Sequence, residues 1–249
     1  MAVIIKSNRE LELMRRAGKA TGAVLDKLAK SVKPGMKTRE LDEIANEESA
    51  KLGGRPSFKG YQGFPASVCV SINNEIVHGI PGERVIQEGD IVSLDFGLEI
   101  DGFQGDTAVT VGAGRMSPEA LKLIEVTRNS LMAGIDIARH GNRLGDVSAA
   151  IQEYVESRGY GVVREYTGHG IGRDMHEDPQ IPNFGRARTG MLLKKGMTIA
   201  LEPMVTNGSW LTRVGNDRWV VYTADGSMAA HFEHTIAIND GEAEILTAV

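Results

Sequence analysis

The stretch from Ile91 to Val111, IVSLDFGLEIDGFQGDTAVTV, constrains the fold of this chain more than any other segment. Asp101-Gly102 separates two runs of alternating apolar residues. This is a strong signal for a two-residue β-hairpin turn, because both turn residues need φ > 0. A turn at these residues pairs the two strands so that Asp106 lies opposite Gly97. The sequence therefore predicts a long antiparallel hairpin in this segment.

The predicted hairpin brings two aspartates together on one face. Asp95 lies diagonal to Asp106, and diagonal neighbours have Cα atoms about 7–8 Å apart. Two carboxylates that point into one place repel each other, so either one binds a proton or a cation lies between them. Gly97, which has no side chain, would leave room for that cation. The alternative is a pair of solvated aspartates on an exposed face. We expect the other face to be buried, with Val92, Leu94, Phe96, Phe103, Val109 and Val111.

Composition limits the class of protein. With 249 residues and 41% apolar residues, the chain can form one large α/β domain or two fused halves. The net charge of −5 argues against a dedicated nucleic-acid site, which would be basic. The single cysteine, Cys69, excludes an internal disulfide and fits a reducing compartment. We expect a soluble cytoplasmic protein, because we find neither a signal peptide nor an apolar run of the ~20 residues that span a bilayer.

Both halves of the chain show the same order of predicted elements, two helices followed by strands. The spacing of apolar residues predicts four helices. The first covers Ser7–Lys30 and begins with a capping box of Ser7 and Glu10, and the second, capped by Thr38, runs to about Leu52. The third begins at Ser117 with Leu121, Ile124, Leu131 and Ile135 inward, and the fourth runs from about Gly145 to Arg158. Strands are predicted near Ser67–Ile72, in the hairpin, and near Val162–Thr167, Met197–Glu202, Trp219–Thr223 and Ala230–Asn239. We therefore predict an α+β fold over residues 1–249. It would be a single domain with a curved antiparallel sheet backed by helices and pseudosymmetric halves at roughly 1–112 and 113–249.

Three further residues lie in unusual sequence surroundings. His169 stands between two glycines in TGHGIG, which would let the backbone approach a ligand closely, although a lone histidine is more often simply packed or exposed. Glu202 ends the apolar segment MTIALEP, and Glu233 lies in the apolar segment HFEHTIAI. A carboxylate in such a strand is unfavourable unless it is paired or binds a metal.

These residues form a candidate metal site together with the hairpin aspartates: Asp95, Asp106, His169, Glu202 and Glu233. Four carboxylates and one neutral imidazole balance the charge of two divalent ions, and such a donor set suits Mn²⁺, Fe²⁺ or Co²⁺. Two metals about 3.5–4 Å apart can share a bridging water and polarise a carbonyl. A single structural cation is the alternative. It would not explain two further histidines in polar, glycine-rich segments, His78 in VHGIPG and His176 in MHEDP.

Five segments, in this order and spacing, carry a resemblance to a known family. They are VHGIPG, SLDFG–x–x–x–DG–x–x–GDTA, GHGIG–x–x–MHEDP, LEP and FEHT. The chain resembles the type I methionine aminopeptidases of the bacterial short form over nearly its whole length. The resemblance implies the pita-bread fold and a dinuclear metalloenzyme that removes the initiator methionine from new proteins when the second residue is small. The implied ions are Mn²⁺, Fe²⁺ or Co²⁺, with Zn²⁺ and Ni²⁺ as further candidates.

The resemblance also implies a role for each metal-site residue. Asp95 would chelate one metal, whereas Asp106 and Glu233 would bridge both. His169 and Glu202 would complete the coordination of the other metal. The bridging water or hydroxide would attack the scissile carbonyl, and Glu202 would also act as the catalytic proton shuttle.

The substrate would be bound by histidines and by an apolar pocket. By resemblance, His78 and His176 would contact the substrate and hydrogen-bond the amide and the developing oxyanion, a catalytic role that can contribute ~3 kcal/mol. The methionine side chain would pack against Tyr61, Phe64, Cys69 and Trp219, because a thioether packs well on aromatic rings and a thiol. The sequence departs from the family pattern at Phe58 and Met175, which leaves the shape of the pocket open.

Two other interpretations compete with this one. An X-Pro aminopeptidase or prolidase shares the five-ligand pattern, but such proteins usually carry an extra N-terminal domain that we do not expect here. A metal-free binding module with the same fold would be expected to lose ligands, and all five are present. The expected partners are the N-terminal methionine of nascent polypeptides and, transiently, the ribosome. We expect a monomer with no membrane contact.

Overall fold

The computed structural model describes residues 3–248, so Met1, Ala2 and Val249 of the predicted domain lie outside the described residues. The helices are α1 (Asn8–Ser31), α2 (Thr38–Lys51), α3 (Pro118–Ile137) and α4 (Leu144–Glu156). The strands are β1 (Arg55–Pro56), β2 (Cys69–Ile72), β3 (Glu75–Val77), β4 (Ile91–Ile100), β5 (Phe103–Gly112), β6 (Gly161–Val162), β7 (Thr167–Gly170), β8 (Glu177–Pro182), β9 (Thr198–Leu201), β10 (Met204–Thr206), β11 (Thr212–Val214), β12 (Val221–Thr223), β13 (Ala229–His231), β14 (Glu233–Ala237) and β15 (Glu244–Ile245). A short 3₁₀ helix covers Tyr61–Gly63.

A nine-stranded antiparallel sheet forms the centre of the fold. Its path is β1-β4-β5-β14-β9-β7-β8, with β2 on β4 and β15 on β14. Two smaller sheets have the orders β13-β10-β6 and β11-β12-β3. Helix α1 packs on β4 and β5, while α3 packs on α4 and on strands of the second half. This arrangement confirms the predicted α+β class, whereas the division into halves near residue 112 remains a prediction.

The hairpin has the predicted turn and register. Asp101 and Gly102 have φ values of 54° and 75°, and Asp106 pairs with Gly97. On the predicted apolar face, Val92, Leu94, Phe96 and Phe103 are buried, whereas Val109 and Val111 are only half-buried. The face that carries the aspartates is not solvated either, since Asp106 is 4% exposed. Strand β13 packs against this second face, where the Thr110 hydroxyl donates to the carbonyl of His231. Both faces of the hairpin are therefore covered.

The start of α1 follows the predicted local chemistry, whereas the start of α2 does not. Ser7 and Glu10 form the predicted capping box at the start of α1. The prediction that Thr38 caps α2 was wrong, because Lys37 is the N-cap residue. The Thr38 hydroxyl instead exchanges hydrogen bonds with the backbone of Gly82, which fastens the helix start to the following loop.

Helix α3 begins after Ser117 as predicted, and Leu131 and Ile135 are buried as predicted, whereas Ile124 is only half-buried and the first turn differs from the prediction. Leu121, predicted to face inward, is 55% exposed, and Leu123 is buried in its place. Across the helices of the described chain, none combines the length and apolarity needed to cross a membrane.

Two predicted strands are each divided in the structure. The segment predicted as one strand from Val162 to Thr167 contributes to β6 and β7, which lie in different sheets. The segment from Ala230 to Asn239 breaks at Phe232, where the chain changes partner from β10 to β9. The segment opposite, between β9 and β10, breaks at the same level, because Pro203 lacks the N–H that a ladder needs. The Phe232 amide donates to the Pro203 carbonyl at this point. This double break lies beside Glu202 and Glu233.

Candidate metal centre

The strand register aligns three of the predicted ligands in one row across the sheet. Cys69 pairs with Asp95, Asp95 with Ala108, and Ala108 with Glu233. The pairing of β14 with β9, continued past the end of β9, sets Glu202 opposite Glu233. Three carboxylates thus share one row although they are far apart in sequence.

A second row, two residues along the strands, supplies the other two ligands. Gly97 pairs with Asp106, and Ala200 pairs with both His169 and Thr235. Thr235 joins the row to β5 through two hydrogen bonds with the backbone of Asp106. Its hydroxyl donates to the Asp106 carbonyl at 2.7 Å, and the Asp106 amide donates to the Thr235 hydroxyl oxygen at 3.0 Å. Side chains two residues apart on a strand share a face, so both rows point to the same side of the sheet.

The side chains of these rows converge on one cavity of about 250 Å³. His169 Nε2 lies 3.7 Å from Asp106 Oδ2 and 3.7 Å from Glu202 Oε1. One ligand atom from each of Asp106, His169 and Glu233 lies within 4.8 Å of the others. Asp95 lines the same cavity, as do all the other predicted site residues: Tyr61, Phe64, Cys69, His78, His176, Glu202 and Trp219.

His169 presents one ring nitrogen to the carboxylates. Its Nδ1 lies 2.9 Å from the carbonyl oxygen of Gly170, and since a carbonyl only accepts, Nδ1 carries the proton and Nε2 keeps its lone pair. Burial lowers the pKa of His169 to about 3, so the ring is neutral. The flanking glycines allow close packing of the neighbouring backbone, while their role in the approach of a ligand stays a prediction. A Cβ at Gly168 would lie 2.4 Å from the carbonyl oxygen of Ala200 on the neighbouring strand.

The four carboxylates share an unfavourable environment. Burial raises the pKa of Asp95 to about 7. Burial, and then repulsion among the carboxylates, raises the pKa values of Asp106, Glu202 and Glu233 well above their usual range. Asp95 Oδ1, Asp106 Oδ1 and Glu233 Oε1 are buried without a hydrogen-bond partner. Buried, unpaired carboxylate oxygens of this kind call for a proton or a cation. The donor set therefore fits divalent metal ions, and the alternative of solvated aspartates is excluded.

Two histidines flank the carboxylates. The His176 ring lies 4.3 Å from that of His169, and its Nδ1 lies 2.8 Å from the Tyr61 hydroxyl oxygen. His78 has a left-handed backbone, with φ of 61°, a conformation that costs free energy in a non-glycine residue and is concentrated at functional sites. Burial lowers the pKa of both histidines.

Apolar residues form the remaining wall of the cavity. Phe64 and Trp219 meet edge to face with ring centroids 5.2 Å apart, and Cys69 packs beside Phe64. Phe58 also lines this cavity, whereas Met175 lines a neighbouring polar cavity. The two departures from the family pattern thus affect different cavities.

Three residues near the site were assigned no role from the sequence. Gln62 lines the cavity from a left-handed position in the 3₁₀ helix. Asn183 donates its side-chain amide to the carbonyl of Glu202 at 3.0 Å. His231 is 1% exposed, and its Nε2 lies 3.8 Å from Glu202 Oε2. No sequence pattern indicates these contacts, because they depend on how separate strands pair.

Comparisons with known proteins agree with this geometry. Residues 12–240 match the model of metallopeptidase family M24. A methionine aminopeptidase of Clostridium acetobutylicum is 53% identical over 246 residues, which cover 98% of each chain. The crystal structure of a methionine aminopeptidase from Thermotoga maritima is similar with a TM-score of 0.98 and 47% identity, covering 100% of both chains. A prolidase from Pyrococcus furiosus, 21% identical with a TM-score of 0.81 over 99% of this chain and 66% of its own, shares the fold alone.

Proposed function

The chain belongs to metallopeptidase family M24, and on this basis we propose that it is a methionine aminopeptidase, a hydrolase that removes the N-terminal methionine from polypeptides. The observation that carries the proposal is the 53% identity to such an enzyme over 98% of both chains. The likeness to the Thermotoga maritima structure confirms the predicted pita-bread fold. The prolidase likeness extends to the fold only, which favours the methionine enzyme over the X-Pro alternative.

Five residues would hold two divalent ions: Asp95, Asp106, His169, Glu202 and Glu233. The unpaired buried oxygens and the neutral His169 support this assignment. Asp106 and Glu233 are the residues we assign as shared ligands. When bound, such ions polarise a carbonyl and lower the pKa of water. The carboxylate-rich donor set favours Mn²⁺, Fe²⁺ or Co²⁺, with Zn²⁺ and Ni²⁺ as further candidates.

The histidines would act on the substrate amide. If the Tyr61 hydroxyl donates to Nδ1 of His176, the neutral ring carries its proton on Nε2 and can donate it to the carbonyl oxygen on which charge develops. One such donor can contribute ~3 kcal/mol to the transition state. His78, on its left-handed backbone, would hydrogen-bond the same amide from the Trp219 side.

Glu202 would move the proton of the reaction. It lines the cavity beside His169, and burial together with Asp95 and Asp106 raises its carboxyl pKa, which suits a group that takes up a proton and later releases it. The proton would pass from the attacking water to the amine that leaves as the peptide bond breaks.

The apolar wall of Phe64, Cys69 and Trp219, together with Tyr61, would accept the methionine side chain. Its position in the same cavity as the carboxylates supports this assignment. We further propose a preference for a small second residue, action in the cytoplasm on nascent chains during transient contact with the ribosome, and a monomeric state.

The protein is first stripped of metal with a chelator, and Mn²⁺, Fe²⁺ or Co²⁺ is then added back. The test is hydrolysis of Met-Gly-Met-Met and of an X-Pro peptide by this protein. Metal-dependent release of methionine from the first peptide alone supports the proposal. Cleavage of the X-Pro peptide alone would assign the chain to the other M24 activity. Failure to cleave either, with no metal bound, would indicate a binding module.

A further inference from the structure

His231 lies behind Glu202 in a position that the backbone holds firmly. Its amide lies 2.8 Å from the Thr110 hydroxyl oxygen, and the same hydroxyl donates to its carbonyl at 2.8 Å. The Ser93 hydroxyl, 2.8 Å from that of Thr110, completes the chain of donors. The hairpin thereby fixes the point from which the His231 side chain extends.

The ring of His231 has no partner for either nitrogen at hydrogen-bond distance, although the residue is 1% exposed. A buried ring nitrogen that carries a proton without an acceptor is unfavourable, because it has lost its hydrogen bond to water. Nε2 lies 3.8 Å from Glu202 Oε2, just beyond hydrogen-bond distance. Catalytic hydrogen bonds are often long before ligands bind and tighten afterwards.

The two oxygens of the Glu202 carboxylate face different neighbours. Oε1 lies 3.7 Å from His169 Nε2, on the side of the proposed metal ligands. Oε2 lies on the side of His231. Asn183 holds the backbone carbonyl of Glu202 but does not restrain the carboxylate. A hydrogen bond from His231 to Oε2 would therefore restrain the rotation of this carboxylate.

We propose that His231 is a positioning residue for Glu202, whose neutral ring donates Nε2–H to Oε2 and so keeps Oε1 directed at the metal centre. The inference rests on the proposed function, since it assigns Glu202 to metal binding and proton transfer. Groups that orient a metal ligand typically contribute 10–100-fold to metal affinity or activity. A loss of that size is expected when the donor is removed.

The experiment compares three variants with the wild type. His231→Leu removes the donor, whereas His231→Gln retains an N–H at a similar distance from the backbone. His234→Leu is the matched control, because His234 is a half-buried histidine of the same segment whose Nδ1 lies 2.8 Å from Thr247 Oγ1, away from Glu202. Titration calorimetry with Mn²⁺, on proteins stripped of metal with a chelator, gives the metal affinity. Steady-state peptide hydrolysis separates kcat from KM.

For His231→Leu we expect metal affinity, kcat or both to fall by about 10–100-fold with little change in KM. His231→Gln should recover most of the loss, and His234→Leu should match the wild type in affinity and kcat. In a Glu202→Gln background, adding His231→Leu should cost no further metal affinity. Wild-type affinity and kcat in His231→Leu, or an undiminished effect in the Glu202→Gln background, would overturn the proposal.

A measurement on the wild type keeps the test valid if His231→Leu does not fold. Spectra of protein labelled with ¹⁵N-histidine report which ring nitrogen of His231 carries the proton. A proton on Nε2 supports the proposal, and a proton on Nδ1 contradicts it. Metal affinity and the ring spectra do not depend on peptide hydrolysis. A chain whose metal affinity depends on Glu202 and on the Nε2 proton of His231, but which releases no methionine, would refute the proposed function and leave this inference standing.

Discussion

Replacing Asp95 by asparagine should make the metal-free protein more stable at pH 8, although it removes a residue proposed to bind metal. Burial raises the pKa of Asp95 from 3.8 to about 7, so its ionised form is unfavourable in the folded state. A group whose pKa is raised by folding contributes stability below its unfolded pKa, and this contribution is lost as pH rises through the folded pKa. The asparagine variant has no such group to ionise.

The pKa of Asp95 gives the size of the effect. One pKa unit corresponds to 1.36 kcal/mol. From pH 5 up to its folded pKa of about 7, Asp95 stays protonated in the folded state and is largely ionised in the unfolded state. These two units correspond to about 3 kcal/mol. The stability of Asp95→Asn relative to the wild type should therefore improve by about this amount between pH 5 and pH 8 when no metal is present.

Urea unfolding in excess chelator, followed by circular dichroism at several pH values, measures this difference. Asp136→Asn makes the same chemical change at an exposed position and should show no comparable trend with pH. With Mn²⁺ present the order should reverse, because an ion that binds only the folded state stabilises the wild type more. If Asp95→Asn lowered stability equally at pH 5 and pH 8 without metal, ionisation of the buried carboxylates would not be costly and the reasoning would fail.

Three further predictions concern two residues of the site and one ion pair next to it. His176→Ala should bind metal normally in calorimetry but lose most of its kcat; an equal loss of metal would instead make His176 a ligand. Tyr61→Phe should lower kcat by roughly fivefold, since a hydrogen bond to His176 is worth about 1 kcal/mol, and an unchanged kcat would remove Tyr61 from that role. Lys6→Met should cost roughly 3–5 kcal/mol in urea unfolding, because it leaves the buried carboxylate of Glu177 unpaired. A loss below 1 kcal/mol would show that this ion pair contributes little.

The parts of the fold that depend on local chemistry could be predicted from the sequence. The Asp101-Gly102 turn determined the hairpin register, and that register placed Asp106 opposite Gly97 as predicted. The capping box of α1 is equally local. Leu121 was misassigned because two apolar residues of α3, Leu121 and Leu123, compete for the inner face, and packing on α4 and the sheet selects between them.

The convergence of the site could not be derived from local patterns alone. His169 meets Asp106 only because β5, β14, β9 and β7 are neighbours in the sheet, and no short-range signal specifies that order. The unusual surroundings of the five residues were enough to group them as a candidate metal site, whereas the role of each one came from the family resemblance. The strand break at Phe232, and with it the position of His231 behind Glu202, depends on the change of pairing partner. A periodic pattern of apolar residues carries no information about such a change.

We expect methionine release to require metal ions bound by the carboxylate cluster. The most direct test of this requirement is to return Mn²⁺ stepwise to chelated wild type and to Asp106→Asn, and to measure bound metal and methionine release in the same samples. We expect release by the wild type to rise with bound metal and to saturate at two ions per chain. Asp106→Asn should remain folded and release almost no methionine. Full release by wild type stripped of metal with a chelator, or near wild-type release by Asp106→Asn, would show that release does not depend on these metal ions.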